Sequence, residues 1–158
     1  MSHDCGSAGA KFFQAFFPTP MIKYPKRGFF IRLRQASLRD DVQGVDWLVD
    51  MYSHRRGAIV VPLQIKGSGK AVQEYFRQHP DAKEAGVPVQ VVREWHTPER
   101  VRETCFDLLQ AVRDQELDFK DYLTKLRCKP LSLNQSRHLI DARQSAEHTL
   151  MATLAPAR

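Results

Sequence analysis

Residues 44–70 read GVDWLVDMYSHRRGAIVVPLQIKGSGK, and the fold turns on how this stretch is paired. Two apolar runs, VDWLVDMY and AIVVPLQI, flank a polar break of Ser53, His54, Arg55, Arg56 and Gly57. That arrangement predicts a β-hairpin with a short loop. Three polar residues, Asp46, Gln64 and Lys66, interrupt the runs. Residues two apart in a strand share a face, so Gln64 and Lys66 point the same way and Asp46 lies with Leu48 and Asp50. A loop centred on Arg55 pairs Tyr52 with Ala58 and, counting back, Asp46 with Gln64. Lys66 then becomes the diagonal neighbour of Asp46. Opposed side chains in a ladder have β-carbons about 5 Å apart, so the three polar heads are expected to meet in one small volume.

Outward from the hairpin, elements alternate. Phe12, Phe13, Phe16 and Phe17 give the segment from Ser7 to Phe17 an apolar side, and Pro18 and Pro20 end it, predicting a short helix. Phe29, Ile31 and Leu33 alternate with Phe30, Arg32 and Arg34, predicting a strand with one buried face and one partly basic face. SLRDDVQG reads as a polar connection to the hairpin. After it, GSGK resembles the end of a phosphate-binding loop. Ala71 stands where Ser or Thr is required and Gln64 where the leading Gly belongs, so that motif is rejected. The glycines instead open a helix, KAVQEYFRQ. VPVQVVREW then predicts a strand buried on both faces, as in a mixed or parallel sheet covered by helices. Thr97 and Pro98 start an amphipathic helix whose stripe is Val101, Cys105, Leu108, Leu109 and Val112, with Cys105 a core residue rather than a nucleophile. DFKDYLTKLRC is a short helix ended by Pro130, and Ser132 to Gln135 reads as a capping box opening a last helix towards Leu154. Trp47 and Trp95 are both expected in strands and in the core.

These elements describe one α/β domain of 158 residues, with a central mixed sheet of about four strands flanked by helices. Its core covers about residues 7–113, with a helical C-terminal extension over about 117–155. A hydrophobic content of 42% with 27% charged residues is ordinary globular composition. The net charge of +6 and pI near 9.4 favour an acidic partner. Cys5, Cys105 and Cys128 are odd in number and far apart, which excludes a disulfide framework and a CxxC zinc pair and suits a reducing compartment. The six histidines lack zinc spacing. No apolar stretch is long enough to span a bilayer, and the N-terminus lacks a secretory pattern, so the expected location is cytoplasmic, with no membrane partner.

The order helix, strand, Asp-bearing strand, QxK strand, helix, strand, helix resembles the PD-(D/E)xK nuclease superfamily, with its restriction-endonuclease-like fold, in the QxK variant. GVD at Gly44 to Asp46 and QIK at Gln64 to Lys66 carry the resemblance. It implies a Mg²⁺- or Mn²⁺-dependent nuclease acting on nucleic acid, DNA in the first instance. By the resemblance Asp46 is a metal ligand, Gln64 the second ligand, Lys66 the catalytic lysine and Gln73 an accessory residue near the phosphate. A carboxylate and an amide oxygen suit a hard cation, and a lysine suits the charge that develops on a reacting phosphate. Many members carry a Glu on the first helix, whereas this chain has no Glu before Glu74. Asp4, Asp41 or Asp50 would have to substitute, and spacing does not choose among them.

Two further readings stand beside the enzyme. The same fold without turnover would bind nucleic acid through Arg32, Arg34, Arg55, Arg56 and Lys70, or act as a protein-interaction module. The C-terminal helices would serve a homodimer. Alternatively, Gln64 and Lys66 are no site at all and simply mark the polar face of an edge strand, an idea that Pro62 in the same run favours.

Overall fold

The computed structural model describes residues 21–24, 29–53 and 55–154, so the helix expected from Ser7 to Phe17 lies outside the described residues. Five strands form one sheet in the order β1 (Met21–Tyr24), β2 (Phe29–Gln35), β3 (Trp47–Ser53), β4 (Gly57–Lys66) and β5 (Val89–Val91). The first four pair antiparallel and β5 joins β4 in parallel, so the sheet is mixed. Among the described residues six helices accompany it: α1 (Leu38–Val42), α2 (Gly69–Gln78), α3 (Pro80–Ala85), α4 (Pro98–Asp114), α5 (Lys120–Cys128) and α6 (Leu133–Leu154).

The hairpin pairs in the register that a loop centred on Arg55 requires: Tyr52 faces Ala58 and Trp47 faces Leu63. One face of the sheet carries Ile31, Leu33, Trp47, Val49, Val61, Leu63 and Ile65, all buried. They share a core with Val101, Cys105, Phe106, Leu109 and Val112, the apolar stripe of α4. Gln90 of β5, opposite Ile65 in the register, is buried on this face and donates from Nε2 to the Val101 carbonyl oxygen at 2.9 Å. Cys105 is fully buried, and burial pushes its thiol up to about 12, so it packs as an inert core residue.

Pro62 sits in β4 between two partners without contradiction. The Gln64 N–H points to the Pro88 carbonyl oxygen on the β5 side, so the nitrogen of Pro62, two residues earlier, points the same way. There β5 has not begun, because it pairs only with Gln64, Ile65 and Lys66. No ladder bond is lost.

Three local expectations are corrected. SLRDDVQG is not all connection: Ser37 caps α1, its hydroxyl accepting from the Asp40 N–H at 3.1 Å. VPVQVVREW yields only three strand residues, because Pro88 precedes them and the chain turns after Val92. Trp47 is buried as expected, whereas Trp95 lies in that turn and is 70% exposed. The capping box is present in both directions, with the Ser132 hydroxyl accepting from the Gln135 N–H and the Gln135 side-chain oxygen accepting from the Ser132 N–H. The helix it opens, α6, packs against α1, buries Leu139 and exposes Leu133, Ile140, Leu150 and Met151. No helix among the described residues is long and apolar enough to cross a membrane.

Candidate functional site

Asp46 immediately precedes β3, and the hairpin register carries it to the C-terminal end of β4. There it is locked from both sides. Its own N–H donates to Gln64 Oε1 at 3.1 Å, and its Oδ2 accepts the Ile65 N–H at 2.9 Å. Gln64 is buried, and Lys66 is half-buried within electrostatic reach of the Asp46 carboxyl. The three residues that interrupt the apolar runs therefore do converge.

A fourth residue joins them. Asp41, on α1, brings its carboxyl within hydrogen-bonding range of the Asp46 carboxyl, and Lys66 acts on both. Burial pushes Asp46 up to about 7; the Ile65 N–H opposes this and the Asp41 carboxylate adds to it, with Lys66 acting in the opposite direction. Burial raises Asp41 too, offset by the bond from Asp46 and the charge of Lys66. The two carboxyls titrate as a coupled pair, both raised above the ordinary carboxylate range by burial.

The frame around the pair comes from α2. Ser68 caps that helix through the Ala71 N–H, and one side of the helix delivers Tyr75 into the site, almost fully buried. The Tyr75 hydroxyl donates to the Gly44 carbonyl oxygen at 2.9 Å, and its ring lies 5.3 Å from the Lys66 ammonium. Burial holds the Tyr75 phenol protonated, well above its ordinary range. Gly44 has φ of +91°, and a β-carbon there would come within 3.1 Å of Tyr75 and 3.2 Å of His79. Only glycine meets both demands. His79 stacks beside Tyr75 at 4.8 Å; burial, then the charges of Lys66 and Lys129, hold it below its usual range and hence neutral at pH 7.

The remaining predicted residues scatter. Gln73 is exposed on α2, two residues and so about 200° from Tyr75, which turns it away from the carboxyl pair. Lys70 is exposed in the first turn of α2. Arg32 and Arg34 lie on β2, where Arg34 grips both oxygens of Asp50 at 2.7 and 2.8 Å. Arg55 and Arg56 sit at the hairpin tip, about 30 Å from Lys66 along a strand of that length. They pair with Glu116 and Asp118 at 2.9 and 3.1 Å. Asp41 stands among the three aspartates that spacing left open, and Tyr75 is not singled out by the sequence. A signal for Asp41 existed, because Ser37 followed three residues later by Asp40 is a helix-start pattern. Tyr75 carried no comparable mark, since an aromatic at helical spacing reads as core.

Within this geometry the oxygen donors are two carboxyls and one amide. One Asp46 oxygen and the Gln64 oxygen already accept main-chain N–H bonds. Among the described residues, no cluster of three or more His, Cys, Asp or Glu side chains is placed to hold a metal ion. Comparison with known protein families, with curated proteins and with solved structures gives no match.

Proposed function

We propose that the chain is a nuclease-like domain of the PD-(D/E)xK kind, hydrolysing phosphodiester bonds in nucleic acid, with DNA the first substrate to test. The observation that carries the reading is the meeting of Asp46, Gln64 and Lys66 at the strand ends, with Asp41 supplying the second acid. Spacing alone left that acid open among three aspartates; α1 is where one of them arrives.

Each side chain has a role that follows from its position. Two crowded carboxyls, both raised by burial, form a place where positive charge is favoured, and their hard oxygens with the Gln64 amide oxygen suit Mg²⁺ or Mn²⁺, which keeps several waters of its own. A cation bound there would offset charge on the scissile phosphate and acidify water. Lys66 presents its ammonium beside the same acids, where it faces the charge developing on phosphorus oxygens as the P–O bond to the leaving group breaks. Gln64 positions Asp46 through the Asp46 main chain. Tyr75 holds both the Gly44 turn and the Lys66 ammonium.

The test is cleavage of plasmid and single-stranded DNA with Mg²⁺ or Mn²⁺ by the natural chain, Lys66→Ala and Asp46→Ala. Loss in both variants supports the reading, and persistence of cleavage in both removes it. A second reading is favoured by the Gln64 oxygen already being engaged: the same site binds nucleic acid without turnover. It predicts salt-sensitive binding that falls when Arg32 and Lys70 are reversed in charge, with no cleavage under any metal.

A further inference from the structure

Beyond the acids and the lysine, one surface feature near the site has no role in the core. Trp95 is 70% exposed, although indole is among the side chains that gain most from burial. Its position is built rather than loose. The turn at residues 93–96 is closed twice, by the His96 N–H donating to the Arg93 carbonyl oxygen at 3.0 Å and by the Arg93 N–H donating to His96 Nδ1 at 3.2 Å. The Arg93 guanidinium lies 5.1 Å from the indole centroid, and the His96 ring meets it edge-on at 5.9 Å. An aromatic held this way loses little freedom on binding, which is how a recognition anchor is prepared.

The turn also stands beside the candidate site. β5 runs parallel to β4, and the Val92 N–H donates to the Lys66 carbonyl oxygen at 2.9 Å. Trp95 is three peptide steps from Val92, so the Trp95 α-carbon is at most about 11 Å from that of Val92. Arg100 and Arg93 both act electrostatically on His96, so two cations stand at the turn beside Glu94.

We infer that Trp95, backed by Arg93, stacks on an unpaired base of the nucleic-acid strand whose phosphate reaches Lys66, so that the substrate is single-stranded or opened at that point. The inference rests on reading the Asp46–Lys66 site as one that engages nucleic acid. An indole offers a stacking face to any base, while its neighbouring guanidinium adds a cation for the strand. A strand in a closed duplex has its bases stacked on one another and offers no such partner.

The chain has two tryptophans, and Trp47 is buried, so emission from exposed indole reports on Trp95. The experiment titrates the full chain in EDTA with a single-stranded oligonucleotide, a blunt duplex of the same sequence and inorganic polyphosphate, following both fluorescence and anisotropy. The expected result is quenching by the single strand alone, affinity for it falling about tenfold or more in Trp95→Ala. Trp95→Phe is expected to keep most of that affinity, and polyphosphate to bind all forms alike without quenching. Binding of the single strand without quenching, equal affinity in Trp95→Ala, or no binding at low salt each overturns the inference. Cleavage assays separate the two readings. Lys66-dependent cleavage that is indifferent to Trp95→Ala removes the stacking alone, and Trp95-dependent binding without Asp46-dependent cleavage removes the nuclease alone.

Discussion

At the scale of single residues, the Asp41–Asp46 pair sets how the protein responds to pH. The Asp46 carboxyl titrates near 7 in the fold and near its ordinary 3.8 when unfolded, so between those values the folded chain holds a proton that the unfolded chain has lost. Stability from this group is therefore full below about pH 4 and falls as pH rises to about 7, by up to about 4 kcal/mol. Asp46→Asn keeps an acceptor for the Ile65 N–H and removes the titration. Its melting temperature relative to the natural chain is expected to climb between pH 5 and pH 8, as read by thermal denaturation; parallel curves at the two pH values would contradict the raised carboxyl. Tyr75→Phe deletes the hydroxyl that bonds Gly44 but leaves the ring beside Lys66. It is expected to cost about 1 kcal/mol in denaturant unfolding and to slow cleavage more than that loss of folded population explains.

At the scale of elements, α1 is the piece on which the second acid depends. It has five residues, too few to hold itself, and is fixed by the Ser37 cap, by Asp40 with Arg127 at 3.6 Å, and by Gln43 and Arg39 donating to the Lys129 carbonyl oxygen. Ser37→Ala is expected to cost about 1 kcal/mol and to speed amide hydrogen exchange in residues 38–42 while leaving β3 and β4 protected. Uniform loss of protection would mean that α1 is not a separate unit. Gly44→Ala at the neighbouring turn meets both a left-handed backbone and the rings of Tyr75 and His79, so it is expected to cost about 1–3 kcal/mol by the same unfolding measurement. The hairpin itself was legible because alternation and the loop centre fix a register. The α1 helix was not, because a five-residue polar helix carries no apolar period.

At the scale of the whole molecule, several of the described basic residues are engaged in ion pairs far from the carboxyl pair. Arg55 and Arg56 at the tip of the hairpin pair with Glu116 and Asp118, and Arg34 pairs with Asp50. α6 stands largely outside the core, packing on α1 and burying Leu139 apart from the main cluster. A chain ended after Pro130 is expected to keep the sheet, lose the helical signal of α6, and show faster exchange in residues 38–42 with weaker cleavage. An unchanged α1 would show that the C-terminal helix is not its support. Mass in solution at several concentrations tests the homodimer expected of the C-terminal helices, whose exposed Ile140, Leu150 and Met151 are the residues to replace if the mass doubles.

The sequence by itself determined the hairpin, its register, the α4 stripe and the closing capping box, because each depends on local periodicity or on residues within one turn. It also determined that Asp46, Gln64 and Lys66 meet, since a single register carries all three. Only the tertiary structure decided which aspartate completes the pair, because Asp41 reaches Asp46 through a helix held by α5 rather than through spacing. It alone decided that Pro62 is harmless in an interior strand, which depends on where β5 starts. It also decided that Trp95 faces solvent: the strand that was to bury it stops at Val91, and the chain then turns.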